Sequence, residues 1–463
     1  MTIRPTTTFT AQMKQMPIKV IKSRGDIGPI KPVAQRHLIY HISIDLQRRA
    51  MPMTINVREH RDVELRRRAE RVIPGGMSGH LNVKGLPEGY PQYFRSGDGC
   101  RLTDVDGRIY LDFMCSWGPN ILGHRHPEVE AAVRTQLDLG DCLNGPTPHL
   151  VDLAECFVDL LPGAHWAMFQ KNGTDATTTC VTLARARTKR RKVLVAAGAY
   201  HGAVPWCSPS LIGVTAEDRA HIDTYVYNDI ESLEAAAKAA SGDLAAVIVS
   251  PFRHDFGVEQ ELPTPEFASR VRSLCDEADA ALILDEVRCG FRLSMKGSWS
   301  VLGIEPDLSS WSKAIANGYP LAAVTGTDAY REAASQIYVT GSFWCGGAAM
   351  AAAVATLRIL KREDGPEKMR SVGQRFRDGI DAQAERHGVI LRNSGPPQMP
   401  LILFQDDPDY AKGARFTQET LARGVYLHYK HNMFLSLAHT EADIDEALRA
   451  TDAALGVVAR EFG

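Results

Sequence analysis

Lys313 stands alone in a run of small and apolar residues, 308-LSSWSKAIANGYP-320. Lysine is seldom fully buried unless it is paired or used. Two readings fit this context. The stem can cover apolar surface while the ammonium reaches water. Or a partly desolvated amine with a lowered pKa can form a Schiff base with a carbonyl. Three other places in the chain bear on that choice.

The apolar run 281-ALILDEV-287 carries Asp285 near its end. A carboxylate there is costly without a partner, which can be a salt bridge, a helix N-terminus or a protonated ring nitrogen. The segment 171-KNGTDATTT-179 opens a helical pattern. Gly173 lets backbone approach a ligand, and Thr174 adds a hydroxyl, which together suit a phosphate at a helix N-terminus. A simple N-cap by Asn172, Thr174 or Asp175 reads equally well. Tyr200-His201-Gly202 follows a further apolar run, so Tyr200 either stacks on a flat ring or packs in the core. An anion cradle, a ring clamp, an acid for a pyridine nitrogen and a Schiff-base lysine are together the parts that pyridoxal phosphate (PLP) needs.

These residues need a scaffold that brings them to one edge. Short apolar runs at 166–170, 192–198, 245–251, 281–287 and 321–326 alternate with helical patterns at 174–188, 229–240 and 264–279. Such alternation predicts an α/β fold with a mostly parallel sheet covered on both faces. Ligands of such sheets bind beyond the carboxyl ends of the strands, where the four candidates fall. Upstream, 101-RLTDVDGRIYLDF-113 reads as a hairpin around Asp106-Gly107. Downstream of an Ala-rich helix at 346–361, residues 362–463 hold two helical patterns around strand-like segments 389–392 and 400–404. A last helix there is capped by Thr440 with Asp443. This is a small α+β unit. The expected division is an extension at 1–52, an N-terminal segment at 53–115 that joins the small domain, a large domain at 116–361 and the small domain at 362–463.

The bulk numbers narrow the classes. A net charge of −2 gives no basic field for nucleic acid, and no apolar run is long enough to span a membrane. Nine cysteines without a CxxC pair read as reduced thiols in a cytoplasmic protein. His124 and His126 in GHRHP lack Cys or acidic partners at ligand spacing, so no metal is expected. Residues 1–52 hold nine Lys/Arg against two acidic residues and no apolar core for a secretory signal. They read as a dispensable extension.

Over roughly 57–460 the chain resembles the class III, fold type I aminotransferases, and within them the glutamate-1-semialdehyde aminomutases. The matching stretches include 73-IPGG-76, 116-SWGPNILGHRHP-127, 172-NGTDAT-177, 283-ILDEVRCGFR-292, Lys313, 341-GSFW-344 and 435-LSLAH-439. The resemblance implies a large domain built on a seven-stranded sheet. It makes Lys313 the Schiff-base lysine and proton shuttle, and Asp285 the partner of the pyridine nitrogen. Val287, two residues along the same strand face, and Tyr200 flank the ring. Gly173, Thr174 and His201 join the cofactor site. Gly341-Ser342 reaches the phosphate of a neighbouring subunit, so a homodimer is implied. Trp117 and Trp344 line the entrance.

The chain departs from the aminomutases at one position that matters. Asn82 falls where their carboxylate-holding arginine should be, and loss of a bidentate clamp is not a conservative change. By position Lys430 resembles an arginine that holds the carboxylate in related β-amino-acid aminotransferases. The expectation is that Lys430, with Arg253 or His428, holds an acidic group; a solvated loop is the other reading of 428–431. The implied activity is amino transfer between an amine or amino acid, a β-amino acid included, and a keto acid or aldehyde. The alternatives are the 2,1-aminomutase reaction and a racemase or epimerase. No GxGxxG follows an early strand, which argues against a dinucleotide enzyme.

Overall fold

The computed structural model describes residues 60–463. The expected extension at 1–52 lies outside them. A helix at Arg61–Val72 leads into an antiparallel meander of β1 (Phe94–Asp98), β2 (Arg101–Asp104) and β3 (Ile109–Asp112). Asp104 and the Asp106-Gly107 turn close the expected hairpin, with the Asp106 and Arg108 amides both donating to Asp104 Oδ1.

The large sheet follows. Its strands are β4 (Trp166–Gln170), β5 (Lys192–Ala196), β6 (Ile222–Tyr225), β7 (Leu244–Val249), β8 (Ala281–Asp285), β9 (Leu308–Trp311) and β10 (Ala322–Gly326), in the spatial order β4-β10-β9-β8-β7-β5-β6. Only β10 runs against its neighbours. Strands β7, β8 and β10 are buried at every position, which is why they read as unbroken apolar runs. Each large side chain so buried contributes about 1.5–3 kcal/mol.

Helices on both faces are punctuated as the sequence demands. Pro127 and Pro265 open helices Pro127–Leu139 and Pro265–Ala278, where a missing N–H costs nothing. Asp229 and Thr264 cap their helices through the Ser232 and Phe267 amides. The Ala-rich helix Gly347–Arg362 is buried along most of its length. Its small side chains let it lie close against the helix Pro127–Leu139 and the turn after Lys313.

The C-terminal part holds β11 (Leu391–Ser394) paired with β12 (Leu401–Phe404), and the short β13 (Val425–Tyr426). β13 runs parallel to β3, so one sheet draws on both ends of the described chain. Three helices, Gly365–His387, Ala411–Ala422 and Glu441–Phe462, accompany them where two patterns and a last helix were expected. The Thr440/Asp443 capping box forms.

Two strands escaped the sequence pattern. β6 is partly exposed, and β9 places Ser309 and Ser310 in the core. Another strand is shorter than its apolar run. β8 stops at Asp285, so Val287 sits in the following turn and not on the strand face. The cause is local: the Val287 amide turns back to donate to Asp285 Oδ1 at 3.1 Å.

Candidate active site

A cavity of about 240 Å³ opens at the carboxyl ends of β5 and β8. It is lined by Gly173, Thr174, Tyr200, His201, Asp285, Val287 and Lys313 among others. Seven candidates scattered over 140 positions are thus brought to one place by sheet topology.

Asp285 is the last residue of β8 and is buried. Its Oδ2 accepts from His201 Nδ1 at 2.7 Å, and its Oδ1 accepts from Ser310 Oγ at 2.9 Å. Burial alone would raise this carboxyl. The His201 hydrogen bond and charge, with Val287 N–H and Ser310, hold it below its ordinary value. His201 is itself buried, and its main-chain oxygen accepts from Thr177 Oγ1 at 2.6 Å, which ties it to the helix Gly173–Thr188.

Lys313 follows β9 through Ser312 and adopts φ +49°, uncommon for a side chain with a Cβ. Burial, then the Arg288 charge, lower its ammonium to about 8. The lone lysine of the sequence is therefore not a surface lysine.

The anion cradle has its own geometry. Asn172 caps the helix Gly173–Thr188 by accepting from the Asp175 amide at 3.1 Å. The capping and phosphate readings thus coexist, because other first-turn amides stay available. A Cβ on Gly173 would lie 2.6 Å from Val287 Cγ1, and one on Gly202 2.7 Å from Thr174 Oγ1. Only glycine leaves the cradle open. Tyr200 lies across it, 42% exposed and with no ring contact among the described residues. An ionised acid, an amine of lowered pKa, an open helix N-terminus and a free aromatic face fit PLP at every functional end of the molecule.

The remaining candidates are not among the lining residues. Ser342 is exposed and does not line the cavity. Trp344 packs its indole against Gly341. Trp117 (φ +65°) meets the rings of His80 and His431 at 4.9 Å and of His428 at 5.5 Å. Lys430 rests its ammonium over Tyr410 at 4.1 Å and Tyr429 at 4.9 Å, and is not part of the lining. Arg253 is paired with Glu261 at 3.0 Å. Burial, then Lys430, lower His428 to about 4, so it carries no charge toward an acid. The expected acid-binding trio is therefore occupied with other partners. Asn82 staples its own loop, donating to Met77 O at 2.9 Å and accepting from the Lys84 amide.

Sequence reasoning passed over Arg288 and His254, which line the cavity. Arg288 sits three residues after Asp285, and its position beside that acid was the one available signal.

The pattern of aminotransferase class-III matches residues 89–455. The chain belongs to the class III aminotransferases. Among curated relatives, the aminopentol aminotransferase of Sphingopyxis macrogoltabida is 50% identical over 402 residues, 87% of this chain and 95% of that one. A glutamate-1-semialdehyde 2,1-aminomutase of Chloroherpeton thalassium is 33% identical, covering 84% and 96%. Among solved structures, the PLP form of the FumI protein of Sphingopyxis sp. MTA144 superposes with a TM-score of 0.86 at 50% identity, over 87% of this chain and 97% of that one. This aminotransferase is a fold type I, PLP-dependent enzyme. No helix among its described residues is long and apolar enough to cross a membrane.

Proposed function

We propose that the chain moves an amino group from a hydroxylated primary amine without a carboxylate to a keto acid or aldehyde, in the cytoplasm and as a homodimer. One observation carries the amino-transfer part: Lys313, lowered to about 8, shares a cavity with an Asp285 kept ionised by His201. PLP, when bound, supplies an aldehyde carbon and an electron-withdrawing ring. Asp285 holds the proton on the ring nitrogen. Gly173 and Thr174 would bind the phosphate, and Val287 and Tyr200 would pack against the ring. With the cofactor bound, Lys313 Nζ would take a proton from the amine-bearing carbon of the donor in the first half-reaction and deliver one to the corresponding carbon of the acceptor in the second.

The donor class is read from a ring cluster outside the cavity lining, near enough for the Lys313 and Arg288 charges to act on His80 and His431, and taken here as the rim of the site. His80, His428 and His431 are all held below the ordinary imidazole value, chiefly by burial, and stand around Trp117. A rim of imidazole and indole held below its ordinary protonation suits hydroxyls and carbon chain. The relative named as an aminopentol aminotransferase supports the same class. Asn82, spent on its own loop, supports transfer over the aminomutase reaction.

The subunit contribution rests on Gly341-Ser342, with Phe343 and Tyr338 exposed beside it. The domain division at 53–115, 116–361 and 362–463 is supported by the pairing of β3 with β13. Nine free cysteines support the compartment.

The test is the visible spectrum of purified enzyme titrated with an amino-polyol, α-amino acids and β-amino acids without acceptor. The amino-polyol is expected to bleach the cofactor band at the lowest concentration. Bleaching by an α-amino acid alone would reject the donor class. Turnover that needs no added keto acid would favour the mutase.

A further inference from the structure

We infer that His428 and His431 form a matched hydrogen-bond donor and acceptor for a hydroxyl of the amine substrate. This rests on the donor class proposed above and adds to it which atoms read the hydroxyl.

The main chain fixes the tautomer of each ring. His428 Nδ1 lies 3.0 Å from the Lys430 amide nitrogen and 3.1 Å from that of His431. An amide N–H only donates, so Nδ1 accepts, and the proton of the neutral ring sits on Nε2. His431 Nδ1 lies 2.7 Å from Asn432 O. A carbonyl only accepts, so this Nδ1 carries the proton and Nε2 is a bare acceptor. A second ring proton is opposed at both sites. Burial, then the Lys430 charge, act against it at His428, and burial, then chiefly the Arg288 charge, at His431. Two imidazoles three positions apart therefore carry opposite Nε2 atoms, one an N–H and the other a lone pair.

Neither Nε2 has a hydrogen-bond partner among the described residues, and both reach solvent, unlike the enclosed Nε2 atoms of His201 and His439. The two ring centres are 6.2 Å apart, a separation that one hydroxyl, or two on adjacent carbons, can span. Trp117 meets the two rings at 5.5 and 4.9 Å, and the exposed Phe256 meets them at 5.8 and 6.5 Å. Carbon chain beside the hydroxyl would lie on these aromatic surfaces. The Lys313 charge acts on His431, which sets the pair within a short carbon chain of the reacting amine.

The mixture of roles is what selects. A carboxylate only accepts, so it would meet the lone pair of His431. An ammonium only donates, so it would meet the N–H of His428. A hydroxyl does both, and of the three it alone satisfies the pair.

The test reads the rate at which an amine bleaches the cofactor band, with no acceptor added. Terminal amino alcohols from aminopropanol to aminohexanol are compared with alkylamines of the same carbon number. At the best length the hydroxyl is expected to speed bleaching by about 30-fold in wild type. Asparagine places its amide where Nδ1 stood, so His428→Asn and His431→Asn keep the main-chain hydrogen bonds and lose Nε2. In each the hydroxyl advantage is expected to fall to about 5-fold, and in the double variant to vanish. Should an Asn variant fail to take up PLP, His428→Phe and His431→Phe carry the same comparison. A wild type that bleaches equally fast with both amines overturns the inference. So does an advantage that survives both substitutions, since rates that fall equally for both amines mean a structural role. A cofactor band that α-amino acids bleach and no amine of the series touches overturns the donor class as well. A band that nothing bleaches removes the amino-transfer reading beneath both.

Discussion

The floor of the cavity and the ring cluster proposed as its rim are built on opposite principles. The floor takes Asp285, His201 and Lys313 from the ends of strands, and each has a perturbed charge or a tight partner there. The rim takes His80, Trp117 and the pair His428 and His431 from three separate segments, and burial holds every imidazole below its ordinary value. Rigid buried strands can hold an ionised acid because its hydrogen bonds are fixed before any ligand arrives. Loops that meet ring to ring supply shape and weak polar contacts. On the proposed reading, reaction type is written in the floor and choice of donor in the rim.

Substitutions on the two sides should separate accordingly. Lys313→Ala removes the proton carrier, and turnover is expected to fall by about 10⁴-fold with loss of the visible covalent band. Asp285→Asn leaves the ring nitrogen without its acid, and a fall of about 10³-fold is expected with the fold intact by circular dichroism.

A sharper contrast lies next to Asp285. Glu286 accepts from the Ser298 amide and hydroxyl, both at 2.5 Å, but burial outweighs these and raises it to about 7. The folded state therefore binds its proton more tightly than the unfolded chain, whose ordinary value is 4.5. Stability from this group is complete below pH 4.5 and is lost as pH rises to about 7, by up to about 3 kcal/mol. Glu286→Gln should flatten that decline, read as denaturation midpoint against pH. A decline that persists in the variant would place its origin in another group.

The pH behaviour of Lys313 tests the floor without turnover. Uptake of PLP by the cofactor-free chain should speed up with pH and level off above about 8, as Nζ becomes neutral. The smallest effect is at the rim. Trp117→Ala should raise KM for the amine donor about 5-fold, with kcat for a small amine and the cofactor spectrum unchanged. A change in cofactor spectrum would mean that rim and floor are not separable.

The strands that carry the floor were legible because a strand buried on both faces has no polar positions to interrupt it, as in 244–249 and 281–285. β9 was hidden by Ser309 and Ser310, whose burial makes sense only once Ser310 is seen donating to Asp285. Val287 was misplaced onto the strand for a related reason, since nothing in a run of apolar letters marks where an amide turns back to a side chain.

By itself the sequence determined the α/β alternation and the order of the parts, and it marked Lys313, Asp285 and the Gly173-Thr174 helix start as candidates. Those are local properties: an apolar run, a cap, a residue type out of place. The tertiary structure alone decided where each cation ends. Lys430, Arg253 and Arg288 look alike in one dimension, and only folding lays the first on tyrosines, pairs the second with Glu261 and sets the third in the cavity lining, tied to His254 O and Asn432 with the charges of Asp285 and Asp255 acting on it. A side chain's availability depends on its neighbours in space, and those come from segments that the chain itself keeps far apart.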